Sequence, residues 1–410
     1  MKKTKNEKVV IAMSGGVDSS VAAAFLKKAG SCITGVFLKL VDLPNFKESE
    51  KRAKKIAKIL GIKFLVLDLR KEFKKRIIDC FLKEYKRGTT PNPCVVCNKE
   101  IKFGLLLEKA LALGADFVAT GHYARLQKKK DGIHLLRGKD EIKDQSYFLW
   151  QLKQKQLKHV LFPVGDYTKS QVRNLAKRLK LPTFEIPESQ DICFVQTTIV
   201  NEAAAVSSPT EPRLRGEGKE ESKNIRSSLP FACARVNEVL FASASARVND
   251  FLTRHLRQNP GKIICSSPGD EQKVVGEHQG LHFYTIGQRK GIGLAGGPYY
   301  VLNKDTNKNL LIVTKKKKDL LKKELIAKNV NWISGEEPKL PLKIKAKIRY
   351  RHQPATAIIF RHLGSKVYSL KFKVAQRAIT PGQSVVFYLP AEASAKAGGG
   401  QELVGGGIIC

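Results

Sequence analysis

The sequence has little that would place the protein in a membrane or in an oxidising compartment. No stretch approaches the roughly 18 consecutive apolar residues of a membrane-spanning helix. The lysine-rich start leads directly into an apolar run without a small-residue cleavage site. Eight cysteines in 410 residues are too sparse for a disulfide scaffold. We therefore expect a cytoplasmic protein with no membrane partner, in which clustered cysteines serve catalysis or bind metal.

Negative charge is also scarce. Lys and Arg total 74 against 37 Asp and Glu, which gives a formal net charge of +37. This excess favours a nucleic acid partner, because each neutralised phosphate releases counterions and adds affinity. A generally lysine-rich composition is the alternative explanation. The hydrophobic content of 42% is enough for folded cores, and the length predicts two or three domains.

The first 196 residues alternate between short apolar runs and helical patterns. The apolar runs predict strands over 8–13, 33–40, 64–67 and 116–119. Helical spacing predicts helices over 19–29, 47–60, 71–85 and 99–113, and Thr168 is a candidate N-cap for a last helix over 171–179. Strands that alternate with helices favour a parallel sheet covered on both faces, the α/β class.

The rest of the chain has a different character. Residues 197–247 are of low complexity and contain the repeated segments 234–238 and 246–250, so they predict an insertion. A small linking domain is expected over 248–298. From residue 299 to 410, short alternating runs separated by turn residues predict an antiparallel barrel or sandwich, interrupted by a second low-complexity insertion at 391–400.

A seven-residue segment, Ser14-Gly15-Gly16-Val17-Asp18-Ser19-Ser20, lies between the first predicted strand and the first predicted helix. Its two glycines allow a phosphate to approach the backbone, and the N–H groups that open the helix point at the anion. The serines add hydroxyl donors, and Asp18 is a candidate magnesium ligand. The segment lacks the Gly-Lys-Ser or Gly-Lys-Thr ending of the kinase-type phosphate loop.

Two cysteines three residues apart, Cys94 and Cys97, precede the helix predicted from residue 99. The helix N-terminus and the nearby Lys99 and Lys102 are expected to lower the pKa of Cys97 and to favour a nucleophilic thiolate. The pair could instead be half of a zinc site, but no second pair with suitable spacing follows in the sequence. A third cysteine, Cys193, follows about a hundred residues later.

The phosphate segment resembles that of the N-type ATP pyrophosphatase superfamily, whose members cleave ATP between the α- and β-phosphates and transfer AMP to an oxygen. With the cysteine motif and the segments 121–123, 143–147 and 282–291, the chain resembles the tRNA-specific 2-thiouridylase family. This resemblance covers nearly all of the chain except 197–247 and 391–400. It implies a Rossmann-like catalytic domain, a small central domain and a C-terminal antiparallel β-barrel. The implied activity is ATP-dependent 2-thiolation of the wobble uridine of tRNA, which yields 2-thiouridine, AMP and pyrophosphate.

The resemblance also implies roles for individual residues. Cys97 would be the catalytic nucleophile, and Cys193 would carry the persulfide. ATP, with Mg²⁺, would be bound by Ala12, Met13, Ser14, Gly15, Gly16, Val17, Asp18, Ser19, Leu38 and Gly121. The tRNA would be contacted by Asn92, Pro93, Cys94, His122, Lys143, Asp144, Gln145, Arg349, Tyr350 and Gln383. The implied partners are the tRNAs for Lys, Glu and Gln and a persulfide donor such as a cysteine desulfurase or a sulfur-relay protein.

The sequence departs from the family at Cys94, where well-studied members have an aspartate. Cys94, Cys97 and Cys193 could together ligate three irons of a [4Fe–4S] cluster, or Cys94 could be a neutral wall beside a persulfide and disulfide route. Two other functions also remain open. One is adenylation of a small molecule, and the other is tRNA binding by a protein that the segment after Cys193 has inactivated.

Overall fold

The computed structural model describes residues 6–186, 192–195, 246–266, 273–362, 365–390 and 400–410. The chain divides into two compact units, Met1–Glu188 with Asn259–Cys410, and Ser189–Gln258. Most of the predicted insertions, 197–247 and 391–400, lies outside the described residues. The exception in the first is its end, where a helix spans 246–255. Among the described helices, none combines the length and the apolar character needed to cross a membrane.

The first unit contains seventeen described strands and eight described α-helices. The strands are β1 Lys8–Ala12, β2 Cys32–Lys39, β3 Lys63–Asp68, β4 Phe117–Ala119, β5 Ala124–Lys129, β6 Gly132–Arg137, β7 Val160–Leu161, β8 Gly261–Cys265, β9 Lys273–His278, β10 Tyr300–Asp305, β11 Leu310–Thr314, β12 Leu321–Trp332, β13 Leu342–Lys347, β14 Ala355–Arg361, β15 Tyr368–Arg377, β16 Ser384–Tyr388 and β17 Glu402–Ile409. The helices are α1 Val17–Lys28, α2 Pro44–Leu60, α3 Arg70–Phe73, α4 Asp79–Lys86, α5 Pro93–Cys97, α6 Leu106–Ala112, α7 Gln154–Leu157 and α8 Lys169–Arg178.

The predicted parallel sheet is confirmed. Its strand order is β3-β2-β1-β4-β7, and all four pairings are parallel. Apolar residues of β1 and α1 are almost fully buried, among them Ile11, Val21 and Leu26. The phosphate segment, which begins at the carboxyl end of β1, is therefore positioned by elements that pack in a buried core.

Local signals placed several helix ends correctly. Gly61 ends α2 in the left-handed conformation, with φ of 60°, as expected of a glycine C-cap. The Thr168 side chain accepts a hydrogen bond from the Gln171 N–H and caps α8. The helix expected from residue 99 was wrong at its start, because Pro93 occupies the first position of α5 and a π-helical segment, Asn98–Leu105, connects α5 to α6. Proline is favoured at that first position, since its missing N–H has no helical partner there.

The C-terminal region is a closed antiparallel barrel of six strands in the order β12-β15-β14-β13-β16-β17, and the pairing of β12 with β17 closes it. The strands β10 and β11 were expected in this barrel, but they form a mixed four-stranded sheet with β8 and β9. The longest strand, β12, was not predicted, because its apolar and polar residues do not alternate regularly. The division of the chain into domains stays a prediction.

An unpredicted hairpin connects the α/β part of this unit to the barrel. The strands β5 and β6 pair with each other, and β6 extends the barrel sheet through Leu135 opposite Leu403 and Leu136 opposite Glu402. One core cluster combines Val95 of α5 with the barrel residue Tyr388. The cysteine-bearing helix therefore shares a buried core with the barrel.

Candidate functional site

The phosphate segment forms a tight turn between β1 and α1. Gly15 has φ of +73°, and a Cβ atom there would clash with the carbonyl oxygen of Ser49. The Ser19 hydroxyl donates to the Gly16 carbonyl over 3.1 Å, and the Ser20 hydroxyl donates to the same oxygen over 2.7 Å. These contacts hold the first turn of α1, where backbone N–H groups can bind an anion.

The expected nucleotide residues surround this turn. Ala12 ends β1, Met13 is 1% exposed, and the partly buried Leu38 of β2 packs beside Val36 and Val118. A Cβ atom on Gly121 would lie 2.7 Å from the Ser19 nitrogen, so only glycine allows this approach of the two segments. The structure thus brings the predicted residues of β1, α1 and the loop after β4 together.

Asp18 has a partner that the sequence did not suggest. The Lys169 Nζ lies 2.7 Å from each carboxylate oxygen of Asp18, and the Tyr123 hydroxyl donates to Oδ1 over 2.7 Å. The same ammonium group lies 5.6 Å from the centre of the Tyr123 ring. Lys169 opens α8, about 150 residues after Asp18 in the chain, and only the fold brings them together. Sequence reasoning treated the region of Lys169 only as a helix start and gave Tyr123, within the family segment 121–123, no role of its own.

The two cysteines of the motif differ in exposure. Both lie within α5, where Cys94 is exposed and Cys97 is buried. Burial raises the pKa of Cys97 to about 11, although Lys102 opposes this shift. Cys94 is accessible but closely surrounded by protein, and the resulting desolvation raises its pKa as well. The expected low pKa of Cys97 is therefore wrong for this structure, in which the neutral thiol is favoured.

Barrel residues hold the segment that leads to these cysteines. The Gln383 Nε2 donates to the Thr90 carbonyl over 2.8 Å, and the Thr90 N–H donates to the Pro381 carbonyl over 2.9 Å. Asn92, the N-cap of α5, forms a hydrogen bond with Tyr147. Gln383 was expected to contact tRNA, and in this structure its amide supports the approach to Cys94.

Arg349 and Tyr350 are the other barrel residues that were expected to contact tRNA. The Arg349 Nη2 donates to the carbonyls of Ile286 and Ala378, each over 3.0 Å. The Tyr350 ring packs against Phe148, with 4.5 Å between the ring centres. Through its bond to Ile286, Arg349 connects the barrel to the segment between β9 and β10.

The remaining expected RNA contacts differ in accessibility. His122 is 8% exposed, and burial lowers its pKa well below the usual value, so the ring is neutral. Its Nδ1 lies 2.7 Å from the Thr120 hydroxyl. Lys143 and Gln145 are half-buried, and the Gln145 Oε1 accepts from the Tyr123 N–H over 3.0 Å.

Asp144, another of the expected RNA contacts, is buried in this structure. It is 1% exposed, and its oxygens accept hydrogen bonds from Arg137, the Gly138 N–H and both the N–H and the hydroxyl of Ser146. Its carboxylate is fully satisfied within the protein, and its contact with tRNA stays a prediction. Asp144 shapes the loop that carries Lys143 and Gln145.

The second unit contains Cys193, which is half-buried. Beside it in the sequence, Phe194 packs edge-on against Phe251, with 5.4 Å between the ring centres. Across the described residues of both units, no group of three or more His, Cys, Asp and Glu side chains is arranged to hold a metal ion. Cys94 and Cys97 belong to the first unit and Cys193 to the second, so a cluster held by all three stays a prediction.

The fold and the site define a HUP-type α/β domain, with a phosphate-binding turn, joined to a β-barrel. Three family models match consecutive parts of the chain: the tRNA methyl transferase HUP domain over 7–197, the tRNA methyl transferase PRC-barrel domain over 249–315 and the Aminomethyltransferase beta-barrel domain over 322–409. The chain is 39% identical over 416 residues to the tRNA-specific 2-thiouridylase MnmA of Clostridioides difficile, with 98% of each chain covered. It is 40% identical to the protein of the same name from Methylobacillus flagellatus, over 96% of this chain and 98% of that one. The chain belongs to the tRNA-specific 2-thiouridylase family.

Among solved structures, the U34-tRNA thiolase NcsA from Methanococcus maripaludis with its [4Fe-4S] cluster is similar over 47% of this chain and 63% of that chain. The sequence identity is 20%, and the TM-score is 0.33. A likeness this distant carries no argument about the chemistry of the present chain.

Proposed function

We propose that this protein is a tRNA-uridine 2-sulfurtransferase that activates the wobble uridine with ATP and then replaces its C2 oxygen with sulfur. The observation that carries the proposal is the presence, in one compact unit, of the phosphate-binding turn and the Cys94–Cys97 helix. Membership of the family supplies the substrate class. The net charge of +37 suits a polyanionic substrate.

The first chemical step uses the turn after β1. The target base must leave its stack, because its C2 oxygen is otherwise inaccessible. That oxygen attacks the α-phosphorus of ATP, the bond to the β-phosphate oxygen breaks, and pyrophosphate leaves. Backbone N–H groups at the start of α1 and the ammonium group of Lys169 would stabilise the phosphate charge. Mg²⁺ would accompany the phosphates, and ligation by Asp18 would require the carboxylate to release Lys169.

The second step transfers sulfur. The outer sulfur of a persulfide on Cys193 attacks C2, and AMP leaves with the former C2 oxygen. Cys97 loses its proton and attacks the Cys193 Sγ, which breaks the sulfur–sulfur bond and leaves sulfur on the base. The two cysteines then form a disulfide, and an external thiol reductant must reduce it before the next turnover. A [4Fe–4S] cluster held by Cys94, Cys97 and Cys193 is the alternative, and fully active protein without iron would exclude it.

The persulfide donor is proposed to be a cysteine desulfurase or a sulfur-relay protein, and the substrates to be the tRNAs for Lys, Glu and Gln. A cytoplasmic location follows from these partners. The domain division proposed for the chain is a catalytic domain over 1–196, an insertion over 197–247, a linking domain over 248–298 and a barrel domain over 299–410.

The test is mass spectrometry of nucleosides from tRNA incubated with the protein, ATP and a persulfide donor, namely a cysteine desulfurase with cysteine. We expect 2-thiouridine, which should be absent without ATP. A Cys193→Ser variant should lose multiple turnovers, and sustained thiolation by this variant would contradict the persulfide route. Pyrophosphate release that does not depend on tRNA would instead indicate adenylation of a small molecule. Binding of tRNA without any product would indicate an inactive binding protein.

A further inference from the structure

A glycine-rich loop over 287–298 connects the short segment after β9 to β10. Its sequence, Gly-Gln-Arg-Lys-Gly-Ile-Gly-Leu-Ala-Gly-Gly-Pro, contains two basic residues and no acidic residue. Arg289 and Lys290 are exposed. Gly293 has φ of +79°, and no atom lies within 4 Å of the position that its Cβ would take. The backbone around Gly293 is therefore accessible to a ligand, and a turn of successive backbone N–H groups can bind an anion.

The base of the loop is rigid. The Gly287 N–H donates to the Val301 carbonyl over 2.8 Å, and the Val301 N–H donates to the Gln288 carbonyl over 2.9 Å. The Gln288 side chain accepts from the Thr285 N–H and donates to the Lys290 carbonyl, each over 3.0 Å. The backbone that carries the exposed basic residues is thus held by hydrogen bonds, which lowers the entropic cost of binding.

Two arginines of the barrel hold this backbone. The Arg349 Nη2 donates to the Ile286 carbonyl over 3.0 Å, and the Arg377 Nη2 donates to the Gly287 carbonyl over 3.3 Å. These acceptors are neutral, so they leave the two positive charges uncompensated. His352 lies in the same region of the barrel, close enough to feel the charges of Arg349, Arg377 and Lys347.

A second basic segment borders the far end of the loop. Lys315, Lys316, Lys317 and Lys318 are consecutive and exposed. The Lys315 Nζ lies 5.2 Å from the centre of the Tyr299 ring, and Tyr299 follows directly after the loop. The loop 287–298 and the segment 315–318 are here called the loop surface. They form one basic region on the four-stranded sheet of β8 to β11.

We propose that the loop surface binds the phosphate backbone of RNA away from the reacting uridine, and that Arg349 is a positioning residue that holds the loop. The proposal rests on the proposed function, because tRNA supplies the phosphates. An open, glycine-rich backbone can follow a phosphodiester chain closely, and exposed Arg and Lys side chains neutralise it without reading the base sequence. The backbone amides of the loop and the basic side chains around it would both bind RNA phosphates.

The first experiment measures tRNA affinity as a function of salt concentration. Arg289→Ala and Lys317→Ala should each weaken binding at low salt and make the slope of log K against log salt shallower by about one. The matched control is Lys366→Ala, because Lys366 is exposed and lies at the opposite end of β15 from Arg377, roughly 30 Å along the strand. Loop variants that match wild type and the control in affinity and slope would overturn the proposal.

A double-mutant cycle tests the role of Arg349. If Arg349 acts through the loop, the losses from Arg349→Ala and Arg289→Ala will not multiply in the double variant. Arg349→Lys should behave like the alanine variant, because a lysine keeps the charge but cannot reproduce the planar fork. Multiplying losses together with full rescue by lysine would show a direct charge contact and would refute the positioning role.

A measurement without RNA distinguishes a loosened loop from a misfolded Arg349→Ala variant. Tryptic cleavage after Arg289 and Lys290, followed by peptide mass mapping, should be faster in Arg349→Ala than in wild type, at an unchanged midpoint of thermal unfolding. Unchanged cleavage would contradict the positioning role. If the wild-type protein does not bind tRNA at all, the proposed function fails; if wild type binds and the loop variants match it, only this inference fails.

Discussion

At the scale of single residues, the candidate nucleophile is held in an unreactive state. Cys97 is buried, and the desolvation raises its pKa to about 11. The persulfide route needs a thiolate at this position, because the thiolate is the nucleophile. Substrate binding would therefore have to change the surroundings of Cys97 before it reacts, which protects the thiol from unwanted oxidation in the free protein.

The alkylation rate of Cys97 in the free protein should report this raised pKa. In a Cys94→Ser background, we expect the rate with iodoacetamide to rise about tenfold per pH unit between about pH 7 and pH 9, since the thiolate fraction rises that way below the pKa. The measurement is mass spectrometry of the Cys97 peptide, with the exposed Cys410 as an internal reference. A rate that levels off near neutral pH would mean that the thiolate is already formed.

The ion pair between Asp18 and Lys169 leads to a second prediction. Lys169→Ala leaves a carboxylate without its cation at the start of α1, where ATP phosphates must bind. We therefore expect a higher KM for ATP and slower pyrophosphate release, measured by a coupled phosphate assay. Lys177→Ala is the matched control, because this exposed lysine lies on the same helix. Equal behaviour of the two variants would remove Lys169 from the nucleotide site.

At the scale of elements, the cysteine helix depends on the barrel. Pro93 starts α5, Val95 enters a core shared with Tyr388, and Gln383 binds the Thr90 carbonyl. A change in the barrel can therefore alter the position of Cys97 without touching the phosphate turn.

Gln383→Ala tests this dependence. The lost hydrogen bond costs about 0.5–1.5 kcal/mol, and the segment before Cys94 should loosen. We expect slower thiolation with little change in the KM for ATP, measured by nucleoside mass spectrometry at varied ATP. Gln376→Ala is the control, since the Gln376 side chain donates to the Val374 carbonyl within its own strand. A similar loss in both variants would point to a general effect on the barrel.

At the scale of the whole molecule, the charge excess should govern association with RNA. The formal net charge of +37 predicts that log K for tRNA falls linearly with log salt, by about 0.7–0.9 per phosphate contacted. Filter binding between about 50 and 200 mM salt measures this slope. A slope near zero would mean that the lysines reflect general composition, and it would leave recognition to uncharged contacts.

Much of the fold could be predicted because its signals are local. The strand before Ser14, the glycine end of α2 and the Thr168 cap depend on residues close together in the sequence. The start of α5 was missed because the helix was predicted only from residue 99, although proline suits the first helical position. The strand β12 was missed because its pairing partners, rather than its own pattern, make it a strand.

The sequence by itself determined the parallel sheet, the phosphate turn, the cysteine pair and the family, because each depends on residue type at short spacing. Only the tertiary structure decided that Lys169 binds Asp18, that Gln383 supports the cysteine segment and that Asp144 is buried. It also decided the state of Cys97, whose pKa depends more on desolvation by surrounding residues than on nearby lysines. Burial and long-range partners arise from packing, and packing cannot be deduced from spacing along the chain.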